Sequence, residues 1–396
     1  MKKFRMIALA LAAVMCVSLT ACGGGDDDSK QTPDPTGTTP VAGEAFKLGG
    51  IGPLTGENAI YGTSAMNGAQ IAVDEINAKG GVQLELNAQD DEADGEKGVN
   101  AYNNLKDWGM QALVGCVTTG SCIAVSTELN RDRIFGLTPS ASSADVTAGK
   151  DNMFQVCFTD PNQGVTSADY MAEHMADKKI AIIYRNDDAY SQGVRDAFAA
   201  EASAKGLNIV YEGTFNKDTQ TDFNVQLTGA QSQGADLVYL PIYYQPASVI
   251  LSQAKQMNYA PTFFGIDGMD GILTLEGFDT ALAEGVMLMT PFNAWGTDDL
   301  TKNFVTEYES RYGSTPNQFA ADGYDAVYAI YNALMAAECT PDMSAADICE
   351  KLVAQFTAAD FSVDGLTGTS MTWSANGEVA KAPVIVVIEG GAYVTQ

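Results

Sequence analysis

Histidine is almost missing: His174 is the single one in a chain of 396 residues. A Ser-His-Asp triad would have one imidazole to draw on, and a multi-histidine metal site cannot be built. Basic side chains are also scarce, 22 Lys and Arg against 50 Asp and Glu, for a net charge of −28. Phosphate neutralisation needs clustered cations, so this balance argues against a nucleic-acid partner. Charged residues of both signs reach only 18%, while hydrophobic residues make up 46%. That is too apolar for a disordered chain, and the length leaves room for two or three domains with a sizeable core.

The one apolar run near the N-terminus, about Met6 to Leu19, is short for a membrane-spanning helix, which needs about 20 residues. Preceded by Lys2, Lys3 and Arg5, it reads as the h-region of a secretory signal. Leu19-Thr20-Ala21-Cys22 follows and resembles the lipobox of bacterial lipoproteins, which implies cleavage before Cys22 and acylation of that cysteine. Cys16 fits less well because Met15 precedes it, and an ordinary signal with an incidental cysteine is the alternative. Residues 1–21 are therefore expected to be a signal peptide. Residues 22–45, with GGGDDDSKQTPDPTGTTPVAGEA after the lipidated cysteine, are expected to be a disordered tether. Loss of residues 1–21 takes three positive and no negative charges, moving −28 to −31. The expected location is extracytoplasmic, on the cell membrane through Cys22.

From residue 46 onward short apolar runs alternate with amphipathic stretches. Strands are expected at 46–51, 83–88, 111–115, 134–138, 153–157, 179–184, 207–212, 236–241, 262–265 and 284–290. Between them, 64–79 places Ala65, Ala69, Ala72, Val73 and Ile76 on one helical face, and 189–205 does the same with Val194, Phe198 and Ala202. Two sets of about five such units imply an α/β fold of two doubly wound parallel-sheet lobes. An eight-fold barrel alternates in the same way. The tail speaks against it, because 367–373 and 382–389 around Asn376-Gly377 read as a closing hairpin.

In open α/β sheets ligands bind beyond the carboxyl ends of strands, beside helix N-termini. The segments at those ends are rich in hydroxyls: Val117-Thr118-Thr119-Gly120-Ser121 and Pro139-Ser140-Ala141-Ser142-Ser143 in the first half, with Tyr61 after the first strand. The second half supplies Tyr190, Tyr243, Tyr244 and Asp267 at equivalent places. Hydroxyls and free N–H groups suit a carboxylate, an aspartate suits an ammonium, and aromatic rings suit the remainder, so a zwitterionic small molecule is the expected ligand. Each residue alone has a plainer use as a helix cap or turn residue. No cofactor and no metal site is expected: CVTTGSC has no companion pair for zinc, and Gly115–Gly120 lacks the Gly-Lys-Ser/Thr end of a phosphate loop. No nucleophile–base pair can be assembled, so enzymatic activity is not expected. Export favours disulfides. Cys339 with Cys349, bracketing a Thr-Pro-Asp turn, is the first expected pair and Cys122 with Cys157 the second, leaving Cys116 free.

The segment GGIGPLTGENAIYGTSAMNGAQIAVDEINAKGGV (49–82) resembles the opening of the leucine/isoleucine/valine-binding family, type I periplasmic solute-binding proteins of ABC importers. The similarity extends over 46–396, including IAIIYRNDDAYSQG (180–193), 238–246 and FFGIDG (263–268). The resemblance implies three crossovers, near Asp160, Pro291 and Leu366. The N-terminal lobe would then comprise 46–160 plus 291–366 and the C-terminal lobe 161–290 plus 367–396, the two closing on the ligand by hinge motion. It also implies that Thr119 binds the ligand carboxylate, that the Ser140 carbonyl takes the ammonium and that Ser142 touches both. Tyr61, Tyr190 and Tyr243 (or Tyr244) would line the ligand, with Ala141 in the same turn. Asp267 stands where the family has an ammonium-binding glutamate; being one methylene shorter, it reaches the ligand only if the backbone moves or a water bridges. The implied partners are a small amino acid, with the branched-chain class favoured, and an ABC permease, for a monomeric protein. A sensor module for a membrane receptor, or a binder of another small carboxylate or amide, would carry the same site.

Overall fold

The computed structural model describes residues 45–396. The proposed signal peptide, the lipidation site Cys22 and nearly all of the tether lie outside the described residues.

In the first lobe the chain runs β1 (Ala45–Gly52), α1 (Ala59–Ala78), β2 (Gln83–Asp90), α2 (Gly95–Trp108), β3 (Ala112–Gly115), α3 (Thr119–Asp132), β4 (Phe135–Thr138) and β5 (Met153–Gln155). The second lobe follows with α4 (Asp160–His174), β6 (Lys179–Arg185), α5 (Ala189–Lys205), β7 (Asn208–Phe215), α6 (Asn224–Ser232), β8 (Leu237–Leu240), α7 (Tyr244–Gln256), β9 (Thr262–Gly265) and β10 (Met287–Thr290). The last quarter holds α8 (Asp299–Tyr312), α9 (Gln318–Ala336), α10 (Ala345–Phe356), β11 (Thr372–Trp373), β12 (Val379–Ala380), β13 (Val384–Glu389) and β14 (Ala392–Thr395).

The first sheet has the order β2-β1-β3-β4-β5, all parallel; β1 pairs with β2 from Ala45↔Gln83 to Gly52↔Asp90. The second repeats that order as β7-β6-β8-β9-β10, also parallel, and adds antiparallel β13 and β14 beyond β10. Both lobes are therefore doubly wound, with the winding reversing between β1 and β3 in one and between β6 and β8 in the other. The short strands β3, β4, β8 and β10 are buried at every residue, because helices cover both faces.

Local chemistry sets the helix limits. Asp188 caps α5 by accepting the Ser191 N–H at 3.0 Å, Val194, Phe198 and Ala202 form its buried stripe, and Gly206 ends it in the left-handed region. Helices α1 and α9 touch backbone to backbone. A Cβ on Gly68 would lie 1.8 Å from the Ala320 carbonyl oxygen, and one on Gly323 would lie 2.1 Å from that of Ala65. The two glycines thus set the spacing of the helices that carry Tyr61 and Phe319.

The tail differs from expectation. Residues 367–373 and 382–389 do not form a hairpin with each other. Instead β11 pairs with β12 across Asn376-Gly377, and this small hairpin packs on β5: the Trp373 indole N–H donates to the Gln155 carbonyl and the Gln155 N–H to the Gly377 carbonyl. The apolar run Val384–Glu389 satisfies its backbone on β10 and β14 of the other sheet. The third crossing therefore follows Ala380, later than the expected Leu366. There Lys381 forms a buried ion pair with Asp322 at 3.2 Å and donates to the Thr367 hydroxyl at 2.8 Å, tying the crossing segment to α9.

The disulfide expectation is also corrected. Cys116, Cys122, Cys157, Cys339 and Cys349 are all free and buried. Cys339 and Cys349 share one buried core cluster without bonding to each other. Cys122 packs beside Cys116 in the core under α3, while Cys157 sits in the first crossover near Asp322 and Lys381.

Candidate functional site

The two reversal points face each other across a cleft. Around it stand Tyr61, Val117, Thr118, Thr119, Ser140 and Phe319 from the first lobe, and Tyr190, Tyr243, Asp267 and Gly268 from the second, enclosing about 250 Å³ counted together with its opening to solvent. Six of the eight predicted ligand-binding residues are thus brought together: Tyr61, Thr119, Ser140, Tyr190, Tyr243 and Asp267. They converge because each follows a parallel strand or opens the helix after it.

The second-lobe wall is built around Asp267, which is 4% exposed. The Tyr190 hydroxyl donates to its Oδ1 at 2.5 Å and accepts the Gly268 N–H at 2.9 Å, while Gln318 Nε2 donates to the Asp267 carbonyl at 2.7 Å. Burial pushes the Asp267 carboxyl up to about 6; Tyr190, the Gly268 N–H and Gln163 oppose the shift, and Asp270 adds to it. Its hydrogen-bond partners are a phenol and amides, with no cation among them. The rings of Tyr190 and Tyr243 stack at 5.1 Å, and Tyr61 meets Tyr243 and Phe319 at 5.3 and 4.5 Å. Burial first, and neighbouring acids and phenols second, raise the Tyr61 and Tyr190 phenols well above their ordinary range, so both are hydroxyl donors at neutral pH.

The first-lobe wall offers hydroxyls and amides. Thr118 is the N-cap of α3 without a side-chain cap bond, so its buried hydroxyl is unpartnered and the first N–H groups of α3 are uncapped. Thr119 opens that helix. Ser140 contributes less than its hydroxyl suggests, because that group donates to the Val117 carbonyl at 2.6 Å.

Ala141 and Ser142 are not on the cleft wall. Ala141 is packed into the core, its N–H held by the Thr138 hydroxyl at 2.9 Å and its carbonyl by Gln155 at 2.8 Å. Ser142 lies deeper, its carbonyl accepting the Asp160 N–H at 2.9 Å. Tyr243, not Tyr244, lines the cleft. Tyr244 points to the rim, where its hydroxyl donates to the Glu57 carbonyl at 2.6 Å. Phe319 escaped the sequence reading because it follows no strand; it opens α9 after the second crossover, and only the α1–α9 contact carries it to the site.

The lobes are closed on one another. The Tyr61 hydroxyl donates to the Gly268 carbonyl at 2.5 Å and accepts the Tyr244 N–H at 3.0 Å, and at the rim Gln220 Nε2 donates to Glu57 Oε2 at 2.6 Å. One phenol of the first lobe is thus bonded to two backbone groups of the second. Among the described residues no helix is long and apolar enough to cross a membrane.

Comparison with known proteins agrees with this geometry. The periplasmic binding protein family matches residues 45–392. The Leu/Ile/Val-binding protein BraC3 of Rhizobium johnstonii is 32% identical over 287 residues, covering 72% of this chain and 73% of that protein. Among solved structures, the leucine binding protein LivK of Thermotoga maritima superposes with a TM-score of 0.79 at 25% identity, over 89% of this chain and 98% of that one. LivJ of Streptococcus pneumoniae, a branched-chain amino acid transporter substrate binding protein in complex with isoleucine, gives 0.78 at 25% identity, over 89% and 100%.

Proposed function

Because this chain belongs to the periplasmic binding protein family, we propose that it captures a branched-chain amino acid between its closing lobes and delivers it to an ABC permease. The observation that carries the ligand class is the opposition of Asp267, buried without a cation, to the hydroxyls and free N–H groups of Thr118 and Thr119 across a narrow cleft. A carboxylate at the α3 N-terminus and an ammonium at Asp267 satisfy both walls at once. The Ser140 carbonyl is a second acceptor for the ammonium. Tyr61, Val117, Tyr243 and Phe319 leave an apolar space suited to an aliphatic side chain. A ligand with a carboxylate alone leaves Asp267 unpaired, and this disfavours simple acids.

Closure supplies the mechanism. Binding across both walls favours the closed arrangement that the Tyr61 hydroxyl bridges, and a permease can then distinguish loaded from empty protein by its shape. The lipobox Leu19-Thr20-Ala21-Cys22 supports an anchor on the outer face of the membrane, with the following residues as tether.

Calorimetry of the chain, unfolded and refolded to remove carried-over ligand, against the twenty amino acids tests the ligand class. Micromolar binding of leucine, isoleucine or valine is expected. Failure of all twenty below about millimolar, with binding of an aromatic acid or an amide, would overturn it. For the anchor, Cys22→Ser is expected to move the protein from the membrane fraction to the soluble one.

A further inference from the structure

Among the ion pairs of the described residues, Lys381 with Asp322 is the one whose two side chains are both buried, each 2% exposed. Taking two opposite charges out of water commonly returns no net stability, so stability alone does not account for a buried pair at the third crossing. Three parts of the hinge region meet on its ammonium. The Nζ donates to Asp322 Oδ1 at 3.2 Å and to Thr367 Oγ1 at 2.8 Å, and it lies 5.9 Å from the centre of the Phe158 ring in the first crossing. Thr367 extends the contact, its hydroxyl donating to Asp325 Oδ2 at 2.7 Å, while Asp325 also accepts the Leu366 and Thr367 N–H groups at 2.8 Å.

The same helix face leads to the cleft. Gln318, Asp322 and Asp325 follow one another at helical spacing on α9, Gln318 donates to the Asp267 carbonyl, and the next residue, Phe319, stands on the cleft wall. Burial pushes the Asp322 carboxyl up to about 7; Lys381 opposes the shift, and Asp325 and Asp267 add to it. The carboxylate therefore depends on this ammonium to stay ionised. What the pair leaves free is short. Strand β12 ends at Ala380, and β13 begins at Val384, which pairs with Thr290, the last residue before the second crossing. With Lys381 held on the first lobe, only Ala382-Pro383 joins it to the second sheet. The proline ring fixes its own φ and restricts the residue before it, so this link is stiff as well as short.

We propose that Lys381 is a positioning residue of the hinge: its buried ammonium pins the third crossing to α9, confines lobe rotation at this crossing to Ala382-Pro383, and so keeps the two cleft walls in register as they close. Lys381 does not touch the ligand and acts through α9 and the crossing. Its consequence for affinity rests on the reading of the cleft as an amino-acid site, whereas its consequence for lobe motion does not.

The test is the distance distribution between spin labels on the two rims, at Lys97→Cys after β2 and Lys217→Cys after β7, both exposed, in a chain beginning at Gly23 whose own thiols are buried. The double variant Lys381→Met/Asp322→Asn removes both charges together and leaves neither unpaired. Its distribution is expected to be broader than that of the otherwise unchanged labelled chain, both empty and with whichever of the twenty amino acids binds tightest. Affinity by calorimetry is expected to fall about tenfold, as when a tenth of the molecules hold the binding-competent arrangement. The thermal midpoint of the empty protein is expected to stay or rise. A merely structural pair would lower that midpoint and leave the distribution unchanged. Pro383→Gly loosens the link without touching the pair, and it should broaden the distribution in the same way even if the double variant does not fold. Unchanged distributions in the variants that fold, with affinity within about twofold, would overturn the role of Lys381. A wild type that binds none of the twenty would overturn the ligand reading, and the distributions of the empty proteins would still decide this proposal.

Discussion

Replacing Asp267 by Asn isolates the charge at the centre of the second-lobe wall. The amide keeps the shape of the carboxylate and still accepts the Tyr190 hydroxyl, so the Tyr190–Gly268 arrangement persists. What disappears is a charge-assisted bond to the ligand ammonium, worth about 1.5–3 kcal/mol. At 1.4 kcal/mol per decade, the dissociation constant of L-leucine should rise roughly 10- to 150-fold. Asp267→Ala, which also strips the ammonium of its acceptor, should lose about 2–5 kcal/mol. The pH dependence follows from the raised carboxyl at about 6. The ammonium binds the ionised form, so wild-type affinity should fall as the pH drops through 6, and Asp267→Asn should remove that part of the dependence. The same shift acts on folding with the opposite sign. A carboxyl raised in the folded state favours its protonated form, so its contribution to stability is present at acid pH and is lost as the pH rises from about 4 to about 6. Titration calorimetry at pH 5, 6, 7 and 8 with wild type and Asp267→Asn measures the binding terms, and urea unfolding over pH 4 to 7 the stability term. L-leucine bound by Asp267→Asn within twofold of wild type, with the acid-side loss intact, would refute the placement of the ammonium at Asp267.

Tyr61→Phe removes one hydroxyl that serves two interlobe hydrogen bonds; closure should weaken and leucine affinity fall by about 1–3 kcal/mol, measured by calorimetry, with the urea midpoint little changed. Gly323→Ala forces a methyl group to within 2.1 Å of the Ala65 carbonyl oxygen, so α1 and α9 must separate. A stability loss of about 1–3 kcal/mol in urea unfolding is expected, together with weaker binding as Tyr61 and Phe319 move apart. The described residues hold five free, buried thiols. A chain beginning at Gly23 should therefore show no rapid reaction with a thiol reagent when native and five equivalents in denaturant without reductant. Fewer than five would restore the disulfide reading.

The doubly wound architecture was legible because parallel strands buried on both faces leave continuous apolar runs such as Ile180–Ile183, and capped helices follow at regular spacing. Candidate site residues could be found by the same logic: a group just past a parallel strand lies at the sheet edge whatever its neighbours are. Thr119, Tyr190, Tyr243 and Asp267 were found that way. The rule failed where backbone and side chain part company. Ala141 and Ser142 lie in the right turn, but the Ala141 main chain is spent on Thr138 and Gln155 and the Ser142 carbonyl on Asp160. It failed again for Phe319, which reaches the cleft through helix packing. The tail departs from the expected hairpin because period-two patterning identifies Val384–Glu389 as a strand without naming its partner.

By itself the sequence determined an α/β chain, nearly without histidine, whose hydroxyls, tyrosines and one aspartate fall at the carboxyl ends of its strands. These are properties of local patterning and residue type, and they do not depend on which segments meet. Tertiary structure alone decided which thiols stay apart, which tyrosine faces the cleft and where the chain makes its third crossing. It also decided that Asp160 is buried with both oxygens unpartnered while Asp322 finds Lys381. Burial and pairing are relations between residues distant in the chain, and each is settled by the packing of the two lobes.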